Sequence, residues 1–194
     1  WTSSLYPWAL VPQLPELPVR EAKAELARRW LAAYGPATEA DLKWWTGWTA
    51  ADTRRALADA GVADVELTEG PGYVLASDLP EDDDTAAGPW AALLPGLDPT
   101  AMGWRGRDWY LDPAHVPALF DRAGNIGPTV WWRGRIVGGW AQRANGQIVW
   151  RLLTDAGRDA ASAIEAEATR LADWIGDVRV TPRFRTPLER ELAG

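Results

Sequence analysis

Residues 26–47 read LARRWLAAYGPATEADLKWWTG, and residues 48–61 continue WTAADTRRALADAG. The punctuation of this stretch decides the fold. Leu26, Ala27, Trp30, Leu31 and Ala33 recur at helical spacing and predict a first helix over 20–34, which Gly35-Pro36 ends. Thr38 stands at an N-cap position, with Glu39 and Asp41 in the first turn, where carboxylates suit the helix dipole. That second helix runs to about Trp45. Gly47 turns the chain, and Thr49 caps a third helix over 50–60, stopped by Gly61. Leu42, Trp45, Trp48 and Leu57 are expected to face inward.

Two short apolar stretches follow, 62–68 and 72–76, joined by a predicted turn at Glu69-Gly70-Pro71-Gly72. Helix, helix, turn, helix, hairpin is the order of a winged helix-turn-helix domain, whose third helix is placed for a DNA major groove. Residues 79–89 are acidic and lack apolar periodicity, so they read as a linker or exposed loop. Asp82-Asp83-Asp84 within it reads as solvated rather than as a cation site. A second unit over 90–194 is expected to be a small antiparallel β-barrel with packed helices. Strands are predicted at 91–94, 108–111, 129–132, 135–142 and 147–153, with Asn145-Gly146 as a hairpin signal. A helix over 157–175 turns Ala161, Ile164, Ala168, Leu171 and Ile175 inward. Residues 178–180 and 183–185 are expected to close the barrel. The fold class is therefore α+β.

Residues 1–18 (WTSSLYPWALVPQLPELP) read as the end of an upstream domain, with Trp1, Leu5, Tyr6 and Trp8 packing on sequence before them. The chain is accordingly expected to be the C-terminal part of a longer protein, its partners being the part before it and duplex DNA. With no Cys and a single His, His115, there are no disulfides and no His- or thiolate-based metal site. No apolar run approaches the ~20 residues a membrane span needs. No cofactor, metal or membrane partner is expected, and a cytoplasmic location is.

The net charge of −7 weighs against nucleic acid, but it is unevenly spread. Between 59 and 100 stand ten acids and no base. Between 101 and 151, seven arginines face three aspartates, a local charge of +4. On the third helix, Thr49, Thr53, Arg54 and Arg55 are candidate contacts to phosphates and base edges, although Asp52 and Asp59 on the same helix repel phosphate. In the second unit Arg105, Arg107, Arg133, Arg135, Arg183 and Arg185 alternate with aromatics and are candidates to track a sugar–phosphate backbone. Two plainer readings stand beside these: a scaffold or protein contact for the three helices, and salt bridges on a solvated face for the arginines. No GxSxG, HExxH, P-loop or dinucleotide fingerprint is present, and no catalytic residue is assigned.

The stretch from Leu26 to Gly47, with Leu93-Leu94-Pro95-Gly96-Leu97-Asp98-Pro99 through Gly103 to Arg107-Asp108, and Gly127-Pro128-Thr129-Val130 through Gly134-Arg135-Ile136-Val137-Gly138-Gly139-Trp140, resembles a bacterial family of winged-helix DNA-binding proteins that includes the AlkZ-like DNA glycosylases. The resemblance covers about 19–194. It implies tandem winged helices followed by a β-barrel wrapped around duplex DNA, and removal of alkylated bases with unhooking of interstrand crosslinks. It also implies a catalytic Gln–apolar–Gln or Gln–apolar–Asp motif in the N-terminal half. Gln13, Gln142 and Gln147 are followed by Leu-Pro, Arg-Ala and Ile-Val, so none matches. A non-enzymatic regulatory DNA binder and a protein-interaction module remain as alternatives.

Overall fold

The computed structural model describes residues 9–10, 16–79, 88–180, 182 and 185–194. Trp1, Leu5, Tyr6, Trp8, Gln13, Asp82-Asp83-Asp84, Arg183 and Phe184 lie outside the described residues. The chain is a mixed α/β protein of two compact units, each with its own antiparallel sheet. No helix among the described residues is long and apolar enough to cross a membrane.

The first unit holds the described residues of 9–79 together with 103–106. Its order is α1 (Val19–Tyr34), α2 (Glu39–Thr46), α3 (Ala50–Ala60), β1 (Val62–Leu67) and β2 (Gly70–Leu75). The capping signals act as expected. The Thr38 hydroxyl accepts from the Asp41 amide while the Asp41 carboxylate accepts from the Thr38 amide, a reciprocal capping box. Gly47 and Gly61 leave the helices in the left-handed region that disfavours a Cβ. Ala27, Trp30, Leu31, Leu42, Ala56 and Leu57 form the core between the three helices. Leu26 does not join it: the buried stripe of α1 runs through Ala24, Ala27, Trp30 and Leu31, and Leu26 lies off that stripe on the exposed side.

Trp45 also departs from expectation. Leu42 is fully buried, whereas Trp45 is 42% exposed. One face of its ring leans on Trp30 and Tyr34, with centroids 6.5 Å away in both cases. The hairpin turn falls at Thr68-Glu69 rather than at 69–72, since Leu67 pairs with Gly70 and Glu66 with Pro71. Gly70-Pro71-Gly72 thus belong to β2. Ala37 and Tyr73 exchange both backbone hydrogen bonds (3.0 and 2.8 Å), fastening the loop between α1 and α2 to the hairpin.

The second unit holds the described residues of 88–102 and 107–194. β3 (Ala91–Leu94), β4 (Thr129–Trp132), β5 (Arg135–Gln142) and β6 (Ile148–Leu152) form an antiparallel sheet in sequence order. A helical turn α4 (Val116–Leu119) precedes β4, and α5 (Gly157–Ile175) and α6 (Pro187–Ala193) follow β6. Val130, Val137 and Trp140 pack with Ala160 and Ile164 of α5, while Leu188 of α6 and Leu119 of α4 approach the sheet at Gly139. β5 is therefore buried on both sides, which explains its nearly continuous apolar run. The backbone of β6 comes so near β5 at Gly138 that a Cβ there would overlap the Arg151 carbonyl.

The expected barrel is not closed. β3 and β6 are the two edges of an open four-stranded sheet. Residues 178–180 add no strand, because the Gln142 side chain takes their hydrogen bonds. Its Nε2 donates to the Val178 carbonyl and its Oε1 accepts from the Val180 amide, both at 3.0 Å. Nor is 108–111 a strand: it is a turn closed by the Tyr110 and Leu111 amides on the Arg107 carbonyl, with one bridge from Leu111 to Ile136.

Candidate nucleic-acid interface

The third helix owes its position to the chain before it. The Thr49 hydroxyl accepts from the Asp52 amide at 3.1 Å and donates to the Asp52 carboxylate at 3.0 Å. Thr53 is fully buried and donates to the Thr49 carbonyl at 2.9 Å. Its hydroxyl is spent inside the helix, so Thr53 is removed from the candidate contacts. Arg54 and Arg55 are exposed on the outer face of α3. Arg54 reaches Glu39 of α2 at 3.1 Å with a largely exposed side chain, a pair that water weakens. Arg55 makes no hydrogen bond or ion pair among the described residues.

The two acids that count against phosphate binding are both held by α1. The Arg20 guanidinium grips Asp59 with two hydrogen bonds, 2.6 and 2.7 Å. Lys23 meets Asp52 at 3.1 Å and also lies 5.5 Å from the centre of the Trp48 ring. Hydrogen bonding from Arg20 holds the Asp59 carboxyl below its ordinary range, helped by the charges of Arg20 and Arg55. Lys23, and then the Thr49 hydroxyl, do the same for Asp52. Sequence spacing gives no sign of these pairs, because their partners lie some thirty to forty residues apart and meet only when α1 packs on α3.

Another residue without a sequence signal beyond capping is Asp41. Its Oδ2 serves the capping box, and its Oδ1 accepts from the amides of Arg105 and Gly106 at 2.8 and 3.2 Å. The buried carboxylate thereby fixes residues 103–106 onto the first unit, where the Trp104 indole donates to the Tyr34 carbonyl at 2.9 Å. Arg105 extends from this fastened segment into solvent.

In the second unit the arginines do not form one row. The β4–β5 turn brings Arg133 and Arg135 together on either side of Gly134. Arg133 lies 5.4 Å from the Trp132 ring centre, and Arg135 donates to the Trp109 carbonyl at 2.8 Å, so both are oriented while exposed. Arg107 sits 5.6 Å from the Phe120 ring centre. Arg185 faces Glu189 of α6 at 3.7 Å and is only 24% exposed. Among the described residues no group of three or more His, Cys, Asp or Glu could hold a metal ion.

A family model described as DNA glycosylase AlkZ-like matches residues 1–174. The chain belongs to the AlkZ-like DNA glycosylase family. It is 29% identical over 183 residues to the interstrand DNA cross-link repair glycosylase of Streptomyces sahachiroi, covering 91% of this chain and 48% of that protein. The solved structure of Streptomyces sahachiroi DNA glycosylase AlkZ superposes with a TM-score of 0.70 at 27% identity, covering 84% of this chain and 45% of that one. The chain thus spans about half the length of the relatives it matches.

Proposed function

We propose that this chain is the DNA-holding part of an AlkZ-like glycosylase that removes alkylated bases or unhooks interstrand crosslinks in the bacterial cytoplasm. The first unit acts as a winged helix, with α3 as the helix seated in a major groove and β1–β2 as the wing. Arg54, Arg55 and Arg105 are its phosphate and base contacts, and Thr49 orients the helix end. In the second unit the oriented guanidinium groups of Arg133 and Arg135 grip phosphates. Base excision itself falls to residues outside this chain. These contacts hold the duplex while a damaged nucleotide is exposed to attack.

The observation that carries this reading is the pairing of Asp52 and Asp59 with Lys23 and Arg20. It cancels the negative charge of α3 and leaves Arg55, with the loosely paired Arg54, to face an approaching phosphate. The test is fluorescence anisotropy with intact and abasic duplexes. Binding should weaken with salt at a log–log slope of about −3 to −4 if some four phosphates are neutralised. Arg54→Glu with Arg55→Glu should reduce affinity at low salt by on the order of tenfold or more. Unchanged affinity in that variant would remove α3 from the interface. The second reading, a protein-interaction module, draws on the ten acids between 59 and 100 and an isoelectric point near 4.8. Absence of duplex binding at low salt would favour it.

A further inference from the structure

Beside α4 and α6, within the second unit, lies a cavity of about 930 Å³ that the duplex-gripping residues do not use. Three arginines on separate segments line it: Arg122 in the loop after α4, Arg190 within α6, and Arg185 just before α6, whose charge is shared with Glu189 at 3.7 Å. The loop is rigidly built. Asp121 Oδ1 accepts from the amides of Ala123 and Asn125, both at 2.9 Å, and its Oδ2 accepts from the Asn125 side chain at 3.0 Å. The Asp121 amide returns to the Asn125 carbonyl at 2.9 Å. Asp121, the only lining carboxylate among the described residues, is thus occupied by its own loop, and Arg122 is carried out at the tip, exposed and without a hydrogen bond or ion pair among the described residues. Arg190 is steadied by one donated bond to the Arg185 carbonyl at 2.8 Å, which leaves most of its fork of donors available.

The rest of the lining among the described residues is mostly apolar, Pro117, Phe120, Ala123, Pro182 and Pro187, with Asn125 the polar exception. Guanidinium groups take phosphate oxygens in bidentate fashion, and flat apolar side chains take the face of a planar ring. The volume falls in the range of small-molecule sites and far exceeds the need of an inorganic anion. We propose that this cavity binds a nucleoside 5′-phosphate unit, with the phosphate between Arg122 and Arg190 and the base against the rings of Pro117, Pro182 and Pro187. One chemistry serves two sources, a mononucleotide in solution or the 5′-phosphorylated end of a DNA strand. The site does not depend on α3 holding DNA.

The experiment is calorimetric titration of the full chain with dAMP, deoxyadenosine, inorganic phosphate, and a short single-stranded oligonucleotide with or without a 5′-phosphate. dAMP should bind saturably, and deoxyadenosine and phosphate each more weakly, by on the order of tenfold, because each offers only one half of the contacts. Arg122→Ala with Arg190→Ala should weaken dAMP binding by a similar factor while circular dichroism and melting temperature stay those of the parent, both side chains being exposed. Tighter binding of the 5′-phosphorylated oligonucleotide than of dAMP assigns the site to strand ends. Equal binding assigns it to the free nucleotide. Arg54→Glu with Arg55→Glu should leave dAMP binding intact whatever it does to duplex binding, which separates this site from the α3 interface. No saturable binding of either phosphorylated ligand overturns the proposal, as does binding that Arg122→Ala with Arg190→Ala leaves unchanged.

Discussion

Replacing Asp41 with Ala removes one side chain and four hydrogen bonds. Two belong to the capping box of α2, from the Thr38 amide and hydroxyl, and two come from the amides of Arg105 and Gly106. Losing the Asp41 half of the capping box costs about 1 kcal/mol, because the Thr38 amide is left without its acceptor while the Thr38 hydroxyl still accepts from the amide at 41. Each amide left without its acceptor costs about 1 kcal/mol more, towards the lower end because Arg105 and Gly106 are exposed and water can reach them. The sum is about 3 kcal/mol, the terms being coupled through one carboxylate. Asn at the same position keeps one acceptor oxygen but turns an NH2 towards a donor, and should cost about half as much. Urea unfolding followed by tryptophan fluorescence measures both. Hydrogen exchange should show residues 103–106 opening together with the first turn of α2. A loss below about 0.5 kcal/mol for Asp41→Ala, or exchange at 103–106 unchanged from the parent, would refute the clamp.

Leu42→Ala should destabilise the first unit by about 3 kcal/mol, and Trp45→Ala by about half that, since one side chain is fully buried and the other partly in solvent; equal costs in chemical denaturation would contradict the observed facing of α2. Asp52 and Asp59 have depressed carboxyl pKa values in the folded chain, so their stabilisation is complete above the ordinary value of 3.8 and is lost as pH falls through the depressed values. Asp52→Asn with Asp59→Asn should therefore flatten the acid limb of a stability–pH curve, and an unaltered limb would disprove the pairing. Gly138→Ala should cost at least about 2 kcal/mol through overlap with the Arg151 carbonyl; a melting temperature equal to the parent's would show that β5 and β6 can separate at that point.

The ends of the helices are legible in the sequence because capping is local. Thr38, Gly47 and Thr49 act through neighbours three or four residues away and Gly61 through its own left-handed backbone, and the structure uses each of them. The direction in which a side chain faces is less legible. Leu42 and Trp45 are three apart on α2 and look equivalent by period, yet the core takes the first and only half covers the second. Sheet closure is not legible at all. Residues 178–180 have the alternation of a strand, but a single side chain, Gln142, supplies the partners a strand would have found in a neighbouring backbone. The same limit applies to the candidate contacts. Thr53 has the chemistry of a phosphate contact, and only its burial shows that its hydroxyl is already spent.

Charge shows most sharply what a linear reading leaves out. Counted along the chain, α3 carries two arginines and two aspartates and has nothing to offer a polyanion. Counted in space, the aspartates belong to α1. Arg20 and Lys23 lie one turn apart at the start of that helix, and they meet Asp59 and Asp52, one near each end of α3. The packing of α1 on α3 is thus an electrostatic arrangement as well as a hydrophobic one. It turns the negative charge of α3 towards its neighbour and leaves Arg55 outward, with Arg54 beside it in a water-weakened pair with Glu39. A chain with a net charge of −7 can in this way present a basic helix, because a phosphate within a few ångströms responds to the nearest unpaired charges, and the acids beyond a Debye length of about 8–10 Å are screened.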